Sequence, residues 1–301
     1  MILSDKNQYW ENCYICQSSN LKDFYKDKNI VICNDCKFVF YKKVPSAKNL
    51  QDVYSNYSRE EYITIDSAKK IKKELISILE RSKVSRVLDI ACGECYTLDI
   101  LRDIDPGLEL LATEHESTKD NVISKGYTFV EGEFFPIVDK KVDLIIFTEA
   151  IEHINDVKSF LKHAYDLLNE GGIIYITTPN FSSIERIMMQ SSWGMIKPPE
   201  HLSYFSPKTL NKVLSEKGFR KLSLKTENIS IFRLIEYFNT HIFSKKNKKN
   251  KLKLSPQAAS DKMQSLTNNN SFLSFSKKII NFLLNFFNLG SSIKAVYQKE
   301  G

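Results

Sequence analysis

Two sets of residues in this 301-residue chain have the types and spacing to do chemistry. The first is Cys13-Tyr-Ile-Cys16, followed after sixteen residues by Cys33-Asn-Asp-Cys36. Each C-x-x-C forms a tight knuckle that turns two thiolates toward one ion. Two such knuckles complete a tetrahedral shell of four, the spacing of a zinc ribbon with no open position for a substrate. Cys13, Cys16, Cys33 and Cys36 are therefore expected to fold an N-terminal module around a structural Zn2+ and to leave reaction chemistry to other residues. The second set lies in Val87-Leu88-Asp89-Ile90-Ala91-Cys92-Gly93-Glu94-Cys95, an apolar strand that ends in an acid and breaks into a small-residue loop before a helix. Small residues let the backbone approach a ligand, and the helix N-terminus offers free N–H groups. The order is D-x-x-x-G, whereas a pyrophosphate-binding turn reads G-x-G-x-x-G. Asp89 repels a pyrophosphate but suits a cationic sulfonium ligand that carries an amine. Cys92-x-x-Cys95 also has the spacing of a redox pair at a helix start, although nothing else in the chain reads as thioredoxin-like.

These residues need a scaffold, and from residue 85 the pattern alternates strand and helix, which predicts an α/β fold with a doubly wound parallel sheet. Arg86 to Ile90 reads as the first strand, with a helix starting over Cys95 to Arg102. Leu108 to Thr113 reads as the second, ending at Glu114. An acid about twenty-five residues after Asp89, at the end of the second strand, can accept hydrogen bonds from both hydroxyls of a ribose. Tyr127 to Val130 is a short third strand before the turn Glu131-Gly132-Glu133-Phe134. Val142 to Phe147, nearly continuous in apolar residues, reads as a strand covered on both faces. Residues 156 to 168 read as a helix stopped by Gly171-Gly172, and Ile173 to Thr177 as a strand ending in Thr178-Pro179-Asn180. Residues 219 to 225 and Ser292 to Tyr297 are expected to close the sheet as an antiparallel pair.

Around that core the chain divides into a ribbon over 1–45, a helical connector over 46–84, a ligand-binding domain over 85–226, an insertion over 227–290 and a last strand within 291–301. The connector carries Tyr54, Tyr57 and Tyr62, then Ile71, Leu75, Ile78 and Leu79 at helical spacing. In the insertion, 244–270 is rich in Lys, Asn, Ser and Gln, a composition that predicts mobility. Residues 272–289 read as an amphipathic helix with Asn281, Asn285 and Asn288 on one face and Ile279, Phe282, Leu283, Phe286 and Leu289 on the rest. Such a helix packs on its own protein or lies on an anionic membrane surface.

Formal charge is +7, but Lys245, Lys246, Lys248, Lys249, Lys251 and Lys253 crowd into nine residues, which leaves the remainder close to neutral. That argues against a broad nucleic-acid-binding face. The N-terminus has no signal-peptide pattern and no apolar run reaches membrane-spanning length. The expectation is a cytoplasmic protein, with peripheral contact at the inner face of the membrane through residues 272–289 as the alternative to packing of that helix on its own protein.

The segment from Asp89 to Cys95 resembles the first motif of class I S-adenosylmethionine-dependent methyltransferases, D-x-G-x-G-x-G, and later segments match that family in order. The resemblance covers residues 12 to 226 and the last strand, and implies a Rossmann-like sheet. Ala91 and Cys95 stand where the family most often has glycine. It implies cofactor contacts from Asp89, Ala91, Cys92, Gly93, Cys95, Glu114 and Thr148, with Gly132, Glu133 and Phe134 lying against the adenine. In zinc-ribbon-bearing members, connector tyrosines often close over the cofactor.

Thr148-Glu149-Ala150-Ile151-Glu152-His153 would then end the fourth strand beside the methyl group, and a histidine there suits removal of a hydroxyl proton near neutral pH. Glu149, Glu152 and His153 also resemble the E-x-x-E-H segment of ubiquinone-biosynthesis O-methyltransferases, where a divalent cation can lower a hydroxyl pKa. A helix-capping role for Glu152 and His153 fits the residues equally. Pro198-Pro199-Glu200-His201 to Pro207 is similar to the P-x-E-H-x-x-x-F-S segment of methyltransferases of surface-polysaccharide and small-metabolite pathways. It makes His201 a second base. Trp193, Tyr204 and Phe205 are placed either to stack an acceptor ring or to pack a loop. The implied acceptor is a hydroxyl of a sugar, nucleotide sugar or glycan precursor. Quinone-type O-methylation, and a zinc-ribbon module that binds nucleic acid or protein, are the alternatives; a nicotinamide dehydrogenase lacks its glycine fingerprint.

Overall fold

The computed structural model describes residues 8–45, 65–229 and 282–301. Tyr54, Tyr57, Tyr62, the lysine run and the first part of the 272–289 segment lie outside the described residues. The strands are β1 (Leu21–Tyr25), β2 (Ile30–Cys33), β3 (Val39–Tyr41), β4 (Arg86–Ile90), β5 (Glu109–Thr113), β6 (Thr128–Phe129), β7 (Val142–Thr148), β8 (Leu168–Pro179), β9 (Ser203–Tyr204), β10 (Phe219–Glu227) and β11 (Ser292–Lys299). The helices are α1 (Ile65–Arg81), α2 (Tyr96–Ile104), α3 (Lys119–Ser124), α4 (Val157–Leu167), α5 (Ile184–Met189) and α6 (Pro207–Ser215), with a short turn of helix over 282–286.

The large sheet runs β10-β11-β8-β7-β4-β5-β6. Its members from β8 to β6 are parallel, and β11 is antiparallel to both β8 and β10, as the sequence predicts. β4 is buried along its whole length because helices cover both faces. One face packs on Ile71, Leu75 and Ile78 of α1 and Leu98 and Leu101 of α2; the other packs on Phe160 and Leu161 of α4. In such a sheet the ligand crevice opens at the carboxyl ends of the strands, where the chain order reverses. Here that point lies between β4 and β7.

Two local expectations are corrected, at the end of helix α4 and at 282–289, and the structure adds detail at two further places. Helix α4 starts where Asp156 accepts the Ser159 N–H (3.0 Å) but ends at Leu167, four residues before the first glycine. Gly171 (φ +74°) and Gly172 instead shape a bulge at the start of β8, where a Cβ on Gly172 would lie 2.8 Å from the Asn169 carbonyl oxygen. The ribbon is not a separate module, because its sheet runs β1-β2-β3-β9 and takes its last strand from residues 203 and 204. Trp193, Tyr204 and Phe205 are buried, so they pack the protein rather than offer a stacking platform. The segment at 282–289 also turns the other way from the amphipathic reading. Asn285 accepts the Thr226 N–H (3.0 Å), and the carbonyl of Asn288 accepts from Asn180, while Phe282, Phe286 and Phe287 are exposed. The end of β10 has unpaired backbone donors to satisfy, and amide side chains do that where phenyl rings cannot.

Candidate functional site

The four cysteines meet as the spacing predicts. In each knuckle the residue after the second cysteine returns its N–H to the first cysteine's carbonyl, Gln17 to Cys13 (2.7 Å) and Lys37 to Cys33 (2.9 Å). Gln17 and Lys37 both take φ of +62° to make that turn. Sγ of Cys13 lies 3.6 Å from that of Cys36, and Sγ of Cys16 lies 3.5 Å from that of Cys33; all four fall within 4.8 Å of one another. Zinc–sulfur bonds of about 2.3 Å in a tetrahedron place sulfurs roughly 3.8 Å apart, so the donor set fits the ion in size and chemistry.

At the carboxyl end of β4, Asp89 is fully buried, and neither carboxylate oxygen has a hydrogen-bond partner among the described residues. Burial, with Cys95 and Glu114 nearby, holds its carboxyl well above the usual aspartate range. A buried acid without partners is costly on its own, so its oxygens are free for a ligand's donors. The loop beyond it alternates left-handed residues at Ala91 (φ +56°), Gly93 (+54°) and Cys95 (+61°). This backbone explains why glycine is the easier residue at positions 91 and 95: a side chain there costs roughly 1–2 kcal/mol. The Sγ atoms of Cys92 and Cys95 lie 3.6 Å apart and are buried in the apolar cluster that includes Leu98 and Leu101 of α2.

Glu114 closes the other side of the crevice. Its carboxylate accepts the N–H of Gly93 (2.8 Å) and of His115 (3.0 Å), which leaves further lone pairs free. Gly132 takes φ of +105°, and a Cβ there would lie 2.4 Å from the Phe135 carbonyl oxygen, so only glycine makes this turn. Glu133 is half-buried, and burial with nearby Glu114 raises its carboxyl pKa. Phe134 is half-buried with its ring edge-on to Phe147 (6.3 Å). Thr148 ends β7 opposite Thr177.

Beyond β7 the turn Ile151–His153 brings three of the predicted catalytic groups together. Glu152, His153 and His201 present ligand atoms within 4.8 Å of one another. Glu149 lies outside that group: it is exposed, with its carboxylate 3.4 Å from the Ser292 hydroxyl. Of the E-x-x-E-H residues, Glu152 and His153 thus lie together with His201, and Glu149 does not join them. His153 donates Nδ1–H to the Glu200 carbonyl and His201 donates Nδ1–H to the Met195 carbonyl, both at 2.9 Å. Because a carbonyl only accepts, each Nε2 keeps its lone pair. Burial lowers the His153 pKa to about 4. Burial, with neighbouring His153 and Lys197, lowers that of His201 to about 3. Glu152 is buried, its carboxyl held well up by desolvation and by Glu149, and Thr178 donates its hydroxyl to Oε2 (2.9 Å). Sequence reasoning missed Thr178 as that partner and missed the Glu200 and Met195 carbonyls. A threonine at the end of a strand next to the acid was the available signal for the first; main-chain carbonyls leave none.

The class that this sheet and crevice define is the Rossmann-like methyltransferase. The methyltransferase domain family matches residues 62–224, and the chain belongs to that family. Among curated relatives, the malonyl-[acyl-carrier protein] O-methyltransferase of Hamiltonella defensa is 25% identical over 168 residues, 52% of this chain and 62% of that one. The mitochondrial ubiquinone biosynthesis O-methyltransferase of Rattus norvegicus is 23% identical over 158 residues, 47% of this chain and 45% of that one. The chain thus spans less than two thirds of these relatives. Among solved structures, the plantazolicin methyltransferase in complex with SAH superposes with a TM-score of 0.51 at 13% identity, over 85% of this chain and 91% of that one, a likeness of fold. No helix among the described residues is long and apolar enough to cross a membrane.

Proposed function

We propose that this protein transfers a methyl group from S-adenosylmethionine to a hydroxyl of a small acceptor, a sugar, nucleotide sugar or glycan precursor. The observation that carries the reading is Asp89, a fully buried carboxyl without hydrogen-bond partners among the described residues, at the switch point of the sheet and followed by a loop of three left-handed residues. When bound, S-adenosylmethionine supplies an activated methyl group, so the protein has only to align an acceptor and take its proton. Ala91, Cys92, Gly93 and Cys95 form the wall that lets the cofactor approach. Glu114 would accept from its ribose, and the Gly132-Glu133-Phe134 turn with Thr148 would border its base and methyl end. His153 or His201 is the proton acceptor through Nε2, that of His201 lying 3.8 Å from Glu200 Oε1, and Thr178 holds Glu152 beside them. Cys13, Cys16, Cys33 and Cys36 would hold a structural Zn2+. Calorimetric titration with S-adenosylmethionine, with NADH in a parallel sample, tests the reading. Micromolar binding of the sulfonium cofactor alone supports it, and a folded protein that binds neither overturns it.

The cluster of Glu152, His153 and His201 favours one variant of this reading, in which a divalent cation sits on these three groups and lowers the acceptor's pKa. The two relatives described above are O-methyltransferases, which supports transfer to oxygen, and the ubiquinone-biosynthesis member keeps an aromatic acceptor as the second choice. Turnover that stops with a chelator and returns with Mg2+ favours the cation-assisted form. Location in the cytoplasm, with peripheral membrane contact through the exposed rings of Phe282, Phe286 and Phe287, is part of the same proposal. Sedimentation with anionic vesicles checks the contact.

A further inference from the structure

The first cysteine knuckle contains a group that metal binding does not require. Tyr14, between Cys13 and Cys16, is buried with its ring edge-on to Phe38 (5.2 Å) and Phe40 (4.8 Å). Its hydroxyl lies 2.6 Å from Ser203 Oγ, and Ser203 Oγ lies 3.4 Å from the carbonyl of Ile154. Either hydroxyl can donate across this short contact, because each also reaches a main-chain carbonyl, Ser203 that of Ile154 and Tyr14 that of Leu202 (3.5 Å). The Ser203 bond joins the residue after His153 to the residue two beyond His201, and Tyr14 braces Ser203 from the ribbon. Neighbouring bonds run the same way: Leu202 N–H to the Glu152 carbonyl (2.8 Å), Tyr41 N–H to the Leu202 carbonyl (2.8 Å) and the Tyr204 hydroxyl to the His201 carbonyl (3.0 Å). Phe40 pairs with Ser203 across β3 and β9, so the ribbon supplies both the strand and the hydroxyl that hold the two segments.

We infer that Tyr14 is a positioning residue, through which the cysteine-knit ribbon clamps the His153 and His201 segments against each other. The role in turnover rests on the methyl-transfer reading above, but the clamp is a statement about geometry that can be tested apart from it. Ser203 is almost fully buried, and its hydroxyl meets both the knuckle tyrosine and the Ile154 carbonyl. The arrangement makes the ribbon part of the reacting unit, although none of its cysteines reaches the crevice.

The experiment compares the full-length, zinc-loaded parent with Tyr14→Phe, Ser203→Ala and the double variant. Zinc content and S-adenosylmethionine affinity report whether each variant is folded, since the substitutions remove no cysteine and no residue of the proposed cofactor crevice. The readout is exchange of the Nδ1 protons of His153 and His201, followed by proton–nitrogen NMR with no acceptor present. Loss of one buried hydrogen bond predicts exchange about tenfold faster at these two rings, with backbone amides of β4 and β5 unchanged and the double variant no worse than either single one. Where an acceptor is in hand, kcat falls and its KM holds. Unchanged ring exchange in a folded variant overturns the clamp, as does an acceleration spread evenly over all amides, which would mean general loosening. A parent that binds no cofactor overturns the methyl-transfer reading instead, and the exchange result still decides the clamp.

Discussion

His153 and His201 meet edge to face, with 4.8 Å between ring centroids, although 47 residues separate them in the chain. Each donates its Nδ1 proton to a different carbonyl, so the pair presents two Nε2 atoms, that of buried His201 and that of half-buried His153. Burial favours the neutral rings, and this sets the first prediction. A base with a pKa of about 4 is already free of its proton throughout the neutral range. The acid limb of kcat/KM is expected near pH 4 rather than near 6.5, measured with enzyme kept folded across the range. A half-maximal rate at pH 6.5 would mean that an ordinary exposed histidine serves as base. His153→Ala or His201→Ala should leave cofactor affinity intact, and the true base should lose turnover by about a hundredfold or more.

Asp89 gives a prediction of stability with a definite sign. Its carboxyl is raised by burial in the fold, so between the ordinary aspartate range and that raised value the folded state holds a proton that the unfolded chain has lost. The contribution is fully present at low pH and declines as pH rises. Asp89→Asn removes the titration, so the melting temperature of the variant minus that of the cofactor-free parent should grow between pH 5 and pH 8. The same variant should bind S-adenosylmethionine about tenfold or more weakly, the loss of one charge-assisted contact. A flat difference in melting temperature across that range would place the carboxyl in water.

Removal of the metal separates two pictures of the ribbon. If it were an appendage, Cys33→Ser would cost only the zinc. Because β9 belongs to its sheet and Phe205 packs on Phe38 (5.3 Å), unfolding the ribbon should displace the His201 segment as well. Structural zinc in small modules is worth on the order of 10 kcal/mol, so the variant or a chelator is expected to abolish turnover while Asp89, on the large sheet, keeps measurable cofactor binding. Turnover that survives loss of the zinc would show the ribbon to be independent.

Gly132→Ala tests the turn after β6. A methyl group there meets the Phe135 carbonyl oxygen at 2.4 Å on a backbone with φ of +105°. The substitution should destabilise the protein by about 2 kcal/mol or more and weaken cofactor binding, read by thermal melts and calorimetry. An unchanged melt would mean the turn relaxes freely.

The parallel strands were legible because doubly covered strands leave uninterrupted apolar runs, and the four-cysteine set was legible because its spacing is itself the geometry. Asp89, Glu114 and Gly132 could be picked out as candidates by their positions at strand ends. What the sequence concealed was tertiary. Ser203 and Tyr204 are too few to carry a period of two, so nothing marked them as a strand of the ribbon sheet. The burial of His201, and its meeting with Glu152 in place of Glu149, follow from that pairing and were hidden with it. At 282–289 the phenylalanines suggested the inward face, yet the backbone at the end of β10 selects Asn285.

The ribbon sheet also constrains the order in which the chain can mature. β1, β2 and β3 leave the ribosome early, but their outer partner β9 is made more than 160 residues later. Until then Val39 and Phe40 form an open edge able to pair with any passing strand. Cutting the chain after residue 45 to produce the ribbon alone would make that interval permanent, and such a fragment should self-associate through β3 unless Ser203 and Tyr204 are supplied in trans.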